Sequence, residues 1–394
     1  MWDSNGNLIS SADKKGKSDK EKADESGSFT AIKEKIEEIT ELKKEATKKY
    51  GQAKENIKKV LNDIKKSGGK FDYDFVENTV DELLDFLTEN NSAFSYLSKE
   101  LFSYDDYLFS HSTNVCTVGS AILNRFNVDF PNFVNKVSAG KAMTSKFFKK
   151  NGDTASDNLI CYNAEEIKNI SIGYFLHDIG KVLIPEEILN KKGRLTEEEF
   201  TIVKKHSYEM GVALLQKNNQ TNPFIVNIVK YHHSALFYDE TNCYPAGKKP
   251  KDLPPYVKIC KFADIYDAMT SKRSYKNAFN PIGVVTSIFR EYAGKDKILQ
   301  FILNSFIKSI GICPPGGIVY LQNNQMAYVL DSAGPLVLPF TDSAGKTLVS
   351  KPDVIDLGQP DVVENLKIDS KKIMQNPVDV HKLLPAYLKE MINI

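Results

Sequence analysis

Histidines are concentrated in one stretch of this 394-residue chain. Five of the six lie within a single window of the sequence, at His111, His177, His206, His232 and His233. His177 is followed directly by Asp178 at the end of an apolar segment, and the adjacent pair His232 and His233 ends another. Burying an imidazole beside a carboxylate is costly unless a metal ion or strong hydrogen bonds compensate. One such histidine alone is usually a core residue, but this set indicates a metal site.

Oxygen and nitrogen atoms are the expected ligands of this site. A further carboxylate, Asp264, closes the apolar run at 257–263. The five cysteines are scattered and form no CxxC pair, so the sequence predicts neither a disulfide framework nor a thiolate metal site.

Composition excludes several classes of protein. Lys and Arg number 52 and Asp and Glu number 51, which gives a net charge of +1. This balance supplies no general field for nucleic-acid polymers or anionic membranes. No apolar run reaches the roughly 18 residues of a membrane span, and the N-terminus lacks the apolar core of a secretory signal. We therefore expect a cytoplasmic protein.

A long amphipathic helix is predicted in the N-terminal part. Apolar residues recur in steps of three and four, at Ile36, Ile39, Leu42, Ala46, Tyr50, Ala53, Ile57, Leu61 and Ile64. The sequence SGG at 67–69 should end this helix. Two interpretations are equally supported: the helix packs on the rest of the chain, or it forms a coiled-coil dimer or signalling arm. Residues 1–28 are polar and predicted to form a disordered tail.

Beyond residue 70 the pattern changes once. From 71 to about 311 it is helical, with polar breaks at 89–91, 150–153 and 239–242. After PPGG at 314–317, short β-type runs at 318–321, 326–330 and 335–339 are separated by turn residues. The sequence therefore predicts a mainly α fold followed by a small β-module.

Seven blocks, in order, resemble the HD-GYP family, the HD phosphohydrolases that degrade the second messenger cyclic di-GMP. They are DDYLFSHS (105–112), HDIGK (177–181), IPEEILNKKGRLTEEEF (184–200), KKH (204–206), YHH (231–233), YP (244–245) and ADIYDAMTSKRSYK (263–276). The resemblance implies an HD-type helical bundle over residues 101–312. A helical region at 29–100 would precede it, and a β-module with a C-terminal helix would occupy 313–394.

The resemblance also implies two metal ions. The family's first metal would be held by His111, His177, Asp178 and Asp264, and its second by Asp178, His206, His232 and His233. Asp178 would bridge them, and a hydroxide shared by the two ions would attack the phosphodiester in line. Many imidazoles and few carboxylates suit iron or manganese better than magnesium. Some members hold a third metal through a Glu where this chain has Tyr107, so we expect two.

Other matched positions imply contacts with the substrate. Lys181 would place its ammonium on the scissile phosphate and offset charge in the transition state. Arg273 and Lys276 match residues that hold the dinucleotide, and Tyr244 and Pro245 belong to the motif that lines the entrance. For Arg273 and Lys276 a surface basic pair is the alternative.

The chain departs from the family in the loop after His233. This loop has three extra residues, Ser234 replaces a Glu, and Glu240 and Cys243 replace two glycines. The substitutions predict a rebuilt substrate entrance beside a complete ligand set. The segment between His111 and His177 is also longer than in the family, which suggests a lid or an adaptor surface.

The expected activity is hydrolysis of cyclic di-GMP to linear pGpG, or on to GMP. Two alternatives remain open. The first is a slow or inactive cyclic di-GMP-binding module that signals through protein partners, and the second is an HD hydrolase of another cyclic nucleotide. A homodimer through the long helix would be compatible with each.

Overall fold

The computed structural model describes residues 19–89, 107–138, 162–271, 281–310, 317–331, 335–348 and 353–359, and short stretches between 362 and 389. Within these residues the first three helices are α1 (Asp19–Ser67), α2 (Tyr73–Glu89) and α3 (Tyr107–Ser138). Helix α1 ends as predicted, because Gly68 and Gly69 have φ of 69° and 118°, and the Gly69 N–H donates to Ile64 O at 2.8 Å.

Eight further helices follow in the described part of the chain. They are α4 (Ala164–Leu176), α5 (Glu186–Leu189), α6 (Glu197–Lys205), α7 (Val212–Lys217), α8 (Pro223–Tyr231), α9 (Pro255–Thr270), α10 (Pro281–Tyr292) and α11 (Lys297–Ile310). A 3₁₀ turn, Ile179–Leu183, follows α4, and another, Pro250–Asp252, precedes α9. A single π-helical turn, His206–Gly211, joins α6 to α7.

One apolar core runs through the helical part. It contains the α1 stripe from Ile39 to Ile64, the buried face of α2, and side chains from α3, α4 and α7 through α11. Helix α1 therefore buries its apolar stripe within its own chain, which is the first of the two interpretations of the long helix. The shared core establishes how α1 packs. The predicted domain boundaries stay predictions.

The small β-module is an antiparallel sheet with strand order β1-β2-β3-β4. Its strands are β1 (Ile318–Tyr320), β2 (Met326–Asp331), β3 (Leu336–Pro339) and β4 (Ile355–Asp356). The first three confirm the predicted β-type runs. One face of the sheet packs with Ile36 near the start of the α1 stripe, together with Leu384 and Leu388. The mainly α fold with a small β-module is confirmed.

Helix α1 begins at Asp19, within the predicted tail at 1–28, and the Lys- and Glu-rich segment after Asp19 contains good helix formers. The C-terminal helix falls on residues that the structure describes only in part. Among the described residues, no helix combines the length and apolar character that crossing a membrane requires.

Candidate metal centre

Three helices end at histidines of the candidate site. Helix α4 starts with a capping box of Asn163 and Glu166, and α6 with one of Thr196 and Glu199. Helix α8 starts at the Asn222 cap, whose side chain accepts from Phe224 N–H. The residues at the C-terminal caps of these helices are His177, His206 and His232.

Each of these histidines bonds to its own helix. Its Nδ1 lies near a carbonyl oxygen of the last turn: 2.8 Å from Tyr174 O for His177, 2.7 Å from Val203 O for His206 and 3.0 Å from Val229 O for His232. A carbonyl oxygen only accepts hydrogen bonds, so Nδ1 carries the hydrogen. In the neutral ring, Nε2 then carries a lone pair. The helix ends therefore set the tautomer and orientation of three potential ligands.

His111 is held differently, by a carboxylate. It lies on α3, and its Nδ1 is 2.6 Å from Asp267 Oδ2 on α9. Asp264, one turn earlier on α9, places Oδ1 3.3 Å from His111 Nε2. His111 and Asp267 are both buried. A carboxylate on the far nitrogen of a histidine is a common support for a metal ligand.

Asp178 lies between two groups of histidines. Its Oδ2 is 3.2 Å from His111 Nε2 and 3.4 Å from His177 Nε2. Its Oδ1 is 3.0 Å from His206 Nε2 and 3.7 Å from His232 Nε2. The two oxygens of one buried carboxylate thus face two separate sets of nitrogens.

Two clusters of potential ligands result. In each, the donor atoms lie within 4.8 Å of one another: one cluster is His111, His177 and Asp264, and the other is Asp178, His206, His232 and His233. His233 is the most exposed of the histidines in these clusters, and its Nδ1 lies 3.7 Å from Asp264 Oδ2. Asp264 therefore also approaches both clusters.

The charges and lone pairs of the site fit a cation. Among the described residues, no hydrogen bond reaches Asp178 Oδ1, although it is buried. The 3.0 Å contact from His206 Nε2 brings two acceptors together, because the hydrogen of that ring is on Nδ1. His206 Nε2 also faces His232 Nε2 at 3.4 Å. Such an arrangement of lone pairs is repulsive until a positive charge lies between them.

The protonation states of the histidines and of Asp178 also fit a metal ion. Burial lowers the pKa of His177 to about 3, and burial also lowers the pKa of His206. Burial opposes ionisation of Asp178, yet the Lys181 ammonium beside it holds the pKa of this carboxyl well below its usual range. Neutral imidazoles and ionised carboxylates are the forms that bind metal ions.

A close backbone approach brings Asp178 to His206. A Cβ built on Gly180 would lie 1.9 Å from His206 O and 2.6 Å from Gly211 N. Glycine is therefore required where the 3₁₀ turn after Asp178 meets the π-helical turn that starts at His206. π-Helical turns are frequent at functional sites, and here the turn begins at the ligand candidate His206 itself.

Comparison with known proteins agrees with this geometry. Residues 162–298 match the protein family described as HD domain. The chain contains an HD domain. The match covers Asp178 and the three helix-end histidines, whereas His111 lies before it.

Curated relatives identify the branch of the HD proteins. The chain is 30% identical over 198 residues to a cyclic di-GMP phosphodiesterase of Pseudomonas aeruginosa, covering 49% of this chain and 46% of that protein. It is 26% identical over 227 residues to cyclic di-GMP phosphodiesterase PdeB of Borreliella burgdorferi, covering 56% of each. These matches confirm the predicted HD-GYP family. The chain spans about half the length of these two relatives.

A third relative has a different printed specificity. The chain is 38% identical over 115 residues to 3′3′-cGAMP-specific phosphodiesterase 2 of Vibrio cholerae. The match covers 29% of this chain and 21% of that protein.

All seven predicted metal ligands of the HD-GYP domain lie together in the two clusters. Lys181 lies beside them, and its Nζ donates to Asp178 Oδ2. The ring of Tyr244 lies 4.6 Å from the ring of His233, centroid to centroid, and a cis peptide bond joins it to Pro245. Arg273 and Lys276 lie outside the described residues, as do the side chain of Tyr107 and residues 139–161 of the segment before His177.

The altered loop of this HD-GYP domain is held by a buried ion pair. Glu240 Oε1 accepts from Lys261 Nζ at 2.7 Å and from Tyr292 OH at 2.9 Å. Lys261 Nζ also donates to Ser234 O at 2.9 Å. The loop returns to the site because Tyr244 N–H donates to His233 O at 3.1 Å. Glu240 therefore joins the loop to α9, a role that its place in the loop did not reveal.

The altered loop contains one positive φ at a residue other than glycine, Asn242. Asn242 has φ of 60°, a value that asparagine tolerates better than most non-glycine residues. Cys243, where the family name has its glycine, places Sγ 3.4 Å from Lys261 Nζ. The rebuilt loop thus keeps a left-handed residue without either family glycine.

Asp267 is a site residue that the sequence did not identify. It lies three residues after Asp264 on α9, so both carboxylates point to one side of the helix. This i, i+3 spacing was the available signal. It was not decisive, because nothing in the sequence shows that His111 lies against this face.

Proposed function

We propose that this protein is a metal-dependent phosphodiesterase that hydrolyses cyclic di-GMP to linear pGpG, or on to GMP. The main support for this proposal is the placement of the Asp178 carboxylate, whose two oxygens face two different sets of histidine nitrogens. The cyclic di-GMP phosphodiesterases among the relatives supply the substrate class.

Seven residues would hold two divalent transition-metal ions, with iron or manganese the best suited to this ligand set. His111, His177, Asp178 and Asp264 would form one site, and Asp178 would share the other with His206, His232 and His233. When bound there, two such ions would supply a water of lowered pKa and polarisation of the phosphodiester.

The chain itself would position the substrate. The Lys181 side chain, which is 23% exposed, lies beside Asp178 and can bind a phosphate oxygen on the solvent side. The Tyr244 ring next to His233 offers an apolar face on which a guanine can stack. Pro245, Arg273 and Lys276 complete the predicted substrate contacts.

A second candidate substrate is 3′3′-cGAMP. It is supported by the Vibrio cholerae relative and by the altered loop, which ends at Tyr244 beside the ligand clusters. Adenine and guanine differ in their exocyclic groups and in the hydrogen on N1, and residues near Tyr244 would distinguish the two bases.

The interaction predictions differ in their support. A homodimer through α1 loses its main argument, because the apolar stripe Ile39–Ile64 packs within the chain. A signalling protein partner and a cytoplasmic location stay predictions.

The deciding experiment is anaerobic purification of the full chain, quantification of iron and manganese per chain, and chromatography of products from cyclic di-GMP and 3′3′-cGAMP. We expect two metals per chain and pGpG from cyclic di-GMP. Faster hydrolysis of 3′3′-cGAMP would establish the second candidate. Micromolar binding of cyclic di-GMP by fully metallated protein without turnover would instead establish a binding module.

A further inference from the structure

A tyrosine of the long helix α1 is hydrogen-bonded inside the helical core. Tyr50 OH donates to Asn114 Oδ1 on α3 at 2.6 Å. Both side chains are buried, at 3% and 1% exposed. Tyr50 belongs to the apolar stripe of α1, so its hydroxyl is a polar group in an otherwise apolar contact.

The hydrogen bonds continue from Asn114 to the candidate metal centre. Asn114 Nδ2 donates to Asp267 Oδ1 at 2.5 Å, and Asp267 Oδ2 accepts from His111 Nδ1 at 2.6 Å. Ser271 Oγ also donates to Asp267 Oδ1, at 2.7 Å. The chemistry fixes each direction, because the ionised carboxylate only accepts and the amide nitrogen only donates. Asn114 must therefore turn its oxygen to Tyr50.

We infer that Tyr50 is a positioning residue for the His111 side of the metal centre, acting through Asn114 and Asp267. The inference rests on the proposed metal-dependent function. Asp267 sets the tautomer of His111 and aims Nε2 at Asp178 and Asp264. Tyr50 fixes the amide that holds Asp267. Helix α1 is thus part of the support of the metal centre and not an appended arm.

The relay, by which we mean the hydrogen-bonded series Tyr50, Asn114, Asp267 and His111, reaches one ligand cluster and not the other. His206 and His232 take their orientation from carbonyl oxygens of their own helices, independently of α1. Loss of the Tyr50 hydroxyl should therefore weaken the metal bound by His111, His177 and Asp264 and leave the other metal unchanged. A general loss of stability would weaken both.

The test is Tyr50→Phe in the full chain, titrated with Mn²⁺ in the presence of a competing chelator. The matched control is Thr79→Val, because Thr79 Oγ1 accepts from Asn56 Nδ2 at 2.9 Å and so ties α1 to α2 outside the relay. We expect one of the two Mn²⁺ ions to bind about fivefold more weakly in Tyr50→Phe, the change that one lost hydrogen bond typically causes. Turnover should fall at constant KM, and Thr79→Val should match the wild type.

A second variant tests the next step of the relay. Asp267→Asn should weaken the same Mn²⁺ ion by about 10- to 100-fold, the usual cost of losing the residue that orients a ligand. Wild-type Mn²⁺ affinities in Tyr50→Phe, or equal losses in Tyr50→Phe and Thr79→Val, would overturn the inference. Absence of metal from the wild-type protein would overturn the proposed function instead, so the two failures are distinct.

Discussion

His206 Nε2 lies 3.0 Å from Asp178 Oδ1, although the two residues follow different helices. The contact depends on Gly180, because the 3₁₀ turn after Asp178 lies directly against the carbonyl of His206. A Cβ at Gly180 would meet backbone atoms, which cannot rotate away as a side chain can. The glycine of the motif HDIGK is therefore a requirement of the metal centre's geometry.

Gly180→Ala should separate the two clusters. Overpacking of this kind typically costs about 1–3 kcal/mol of unfolding free energy. Here the added methyl group would push His206 away from the turn that follows Asp178. We expect a drop in metal content and in phosphodiesterase activity, measured by mass spectrometry and product chromatography. Gly51→Ala is the control, since a Cβ there meets nothing within 4 Å and alanine favours the helix. A metal-replete, active Gly180→Ala protein would contradict this account.

Much of the centre could be predicted because its residues sit in short ordered motifs. The residues that support it could not. Tyr50 satisfies the helical apolar pattern, so its hydroxyl carried no visible signal, and Asn114 is an unremarkable polar residue of α3. Their roles depend on contacts between α1, α3 and α9, which are distant in sequence.

The contacts of the altered loop and of α1 also could not be predicted, because they join residues that are distant in sequence. Glu240 was predicted to alter the entrance, whereas its partner Lys261 lies 21 residues further on, in the middle of an apolar run. The amphipathic pattern of α1 fits packing within the chain and packing against a partner equally well. Only the tertiary core shows which surface covers the stripe.

Asp178→Asn should empty the centre more completely than loss of a terminal ligand. An amide offers one oxygen and no negative charge, so neither cluster keeps its shared carboxylate. We expect metal content to fall below one ion per chain, with activity reduced by more than the 10- to 100-fold that loss of a supporting residue causes. His111→Ala and His233→Ala provide the comparison and should each retain one ion. Two retained ions and wild-type turnover in Asp178→Asn would refute its bridging role.

Stability of the metal-free protein should fall in mild acid. An unfolded His177 takes up a proton near its ordinary pKa of 6.5, whereas burial keeps the folded residue neutral until about pH 3. Between these values the unfolded state binds more protons, so the free energy of unfolding decreases as pH falls. From pH 7 to 5 we expect His177 to contribute a loss of about 2 kcal/mol.

Urea unfolding of chelator-treated protein at these two pH values measures this loss. His177→Asn keeps a donor near Tyr174 O but does not titrate, so its stability should depend less on pH by that amount. An unchanged pH dependence in His177→Asn would show that His177 is not the residue responsible.

Glu240→Gln should destabilise the protein and loosen the loop without removing metal. The side chains of Glu240 and Lys261 are each only 9% exposed, so the variant leaves the Lys261 ammonium buried without its carboxylate. Breaking one partner of such a pair costs about 3–5 kcal/mol, whereas the double change Glu240→Gln with Lys261→Met should recover much of it. Lys65→Met, which breaks the exposed pair with Glu186, should cost less than about 1 kcal/mol.

For activity we expect a raised KM at unchanged metal content, because the loop places Tyr244 against His233. For the same reason, shortening the loop to the family form should require Lys261 to be replaced as well. If Glu240→Gln matches Lys65→Met in both stability and KM, the ion pair does not hold the entrance.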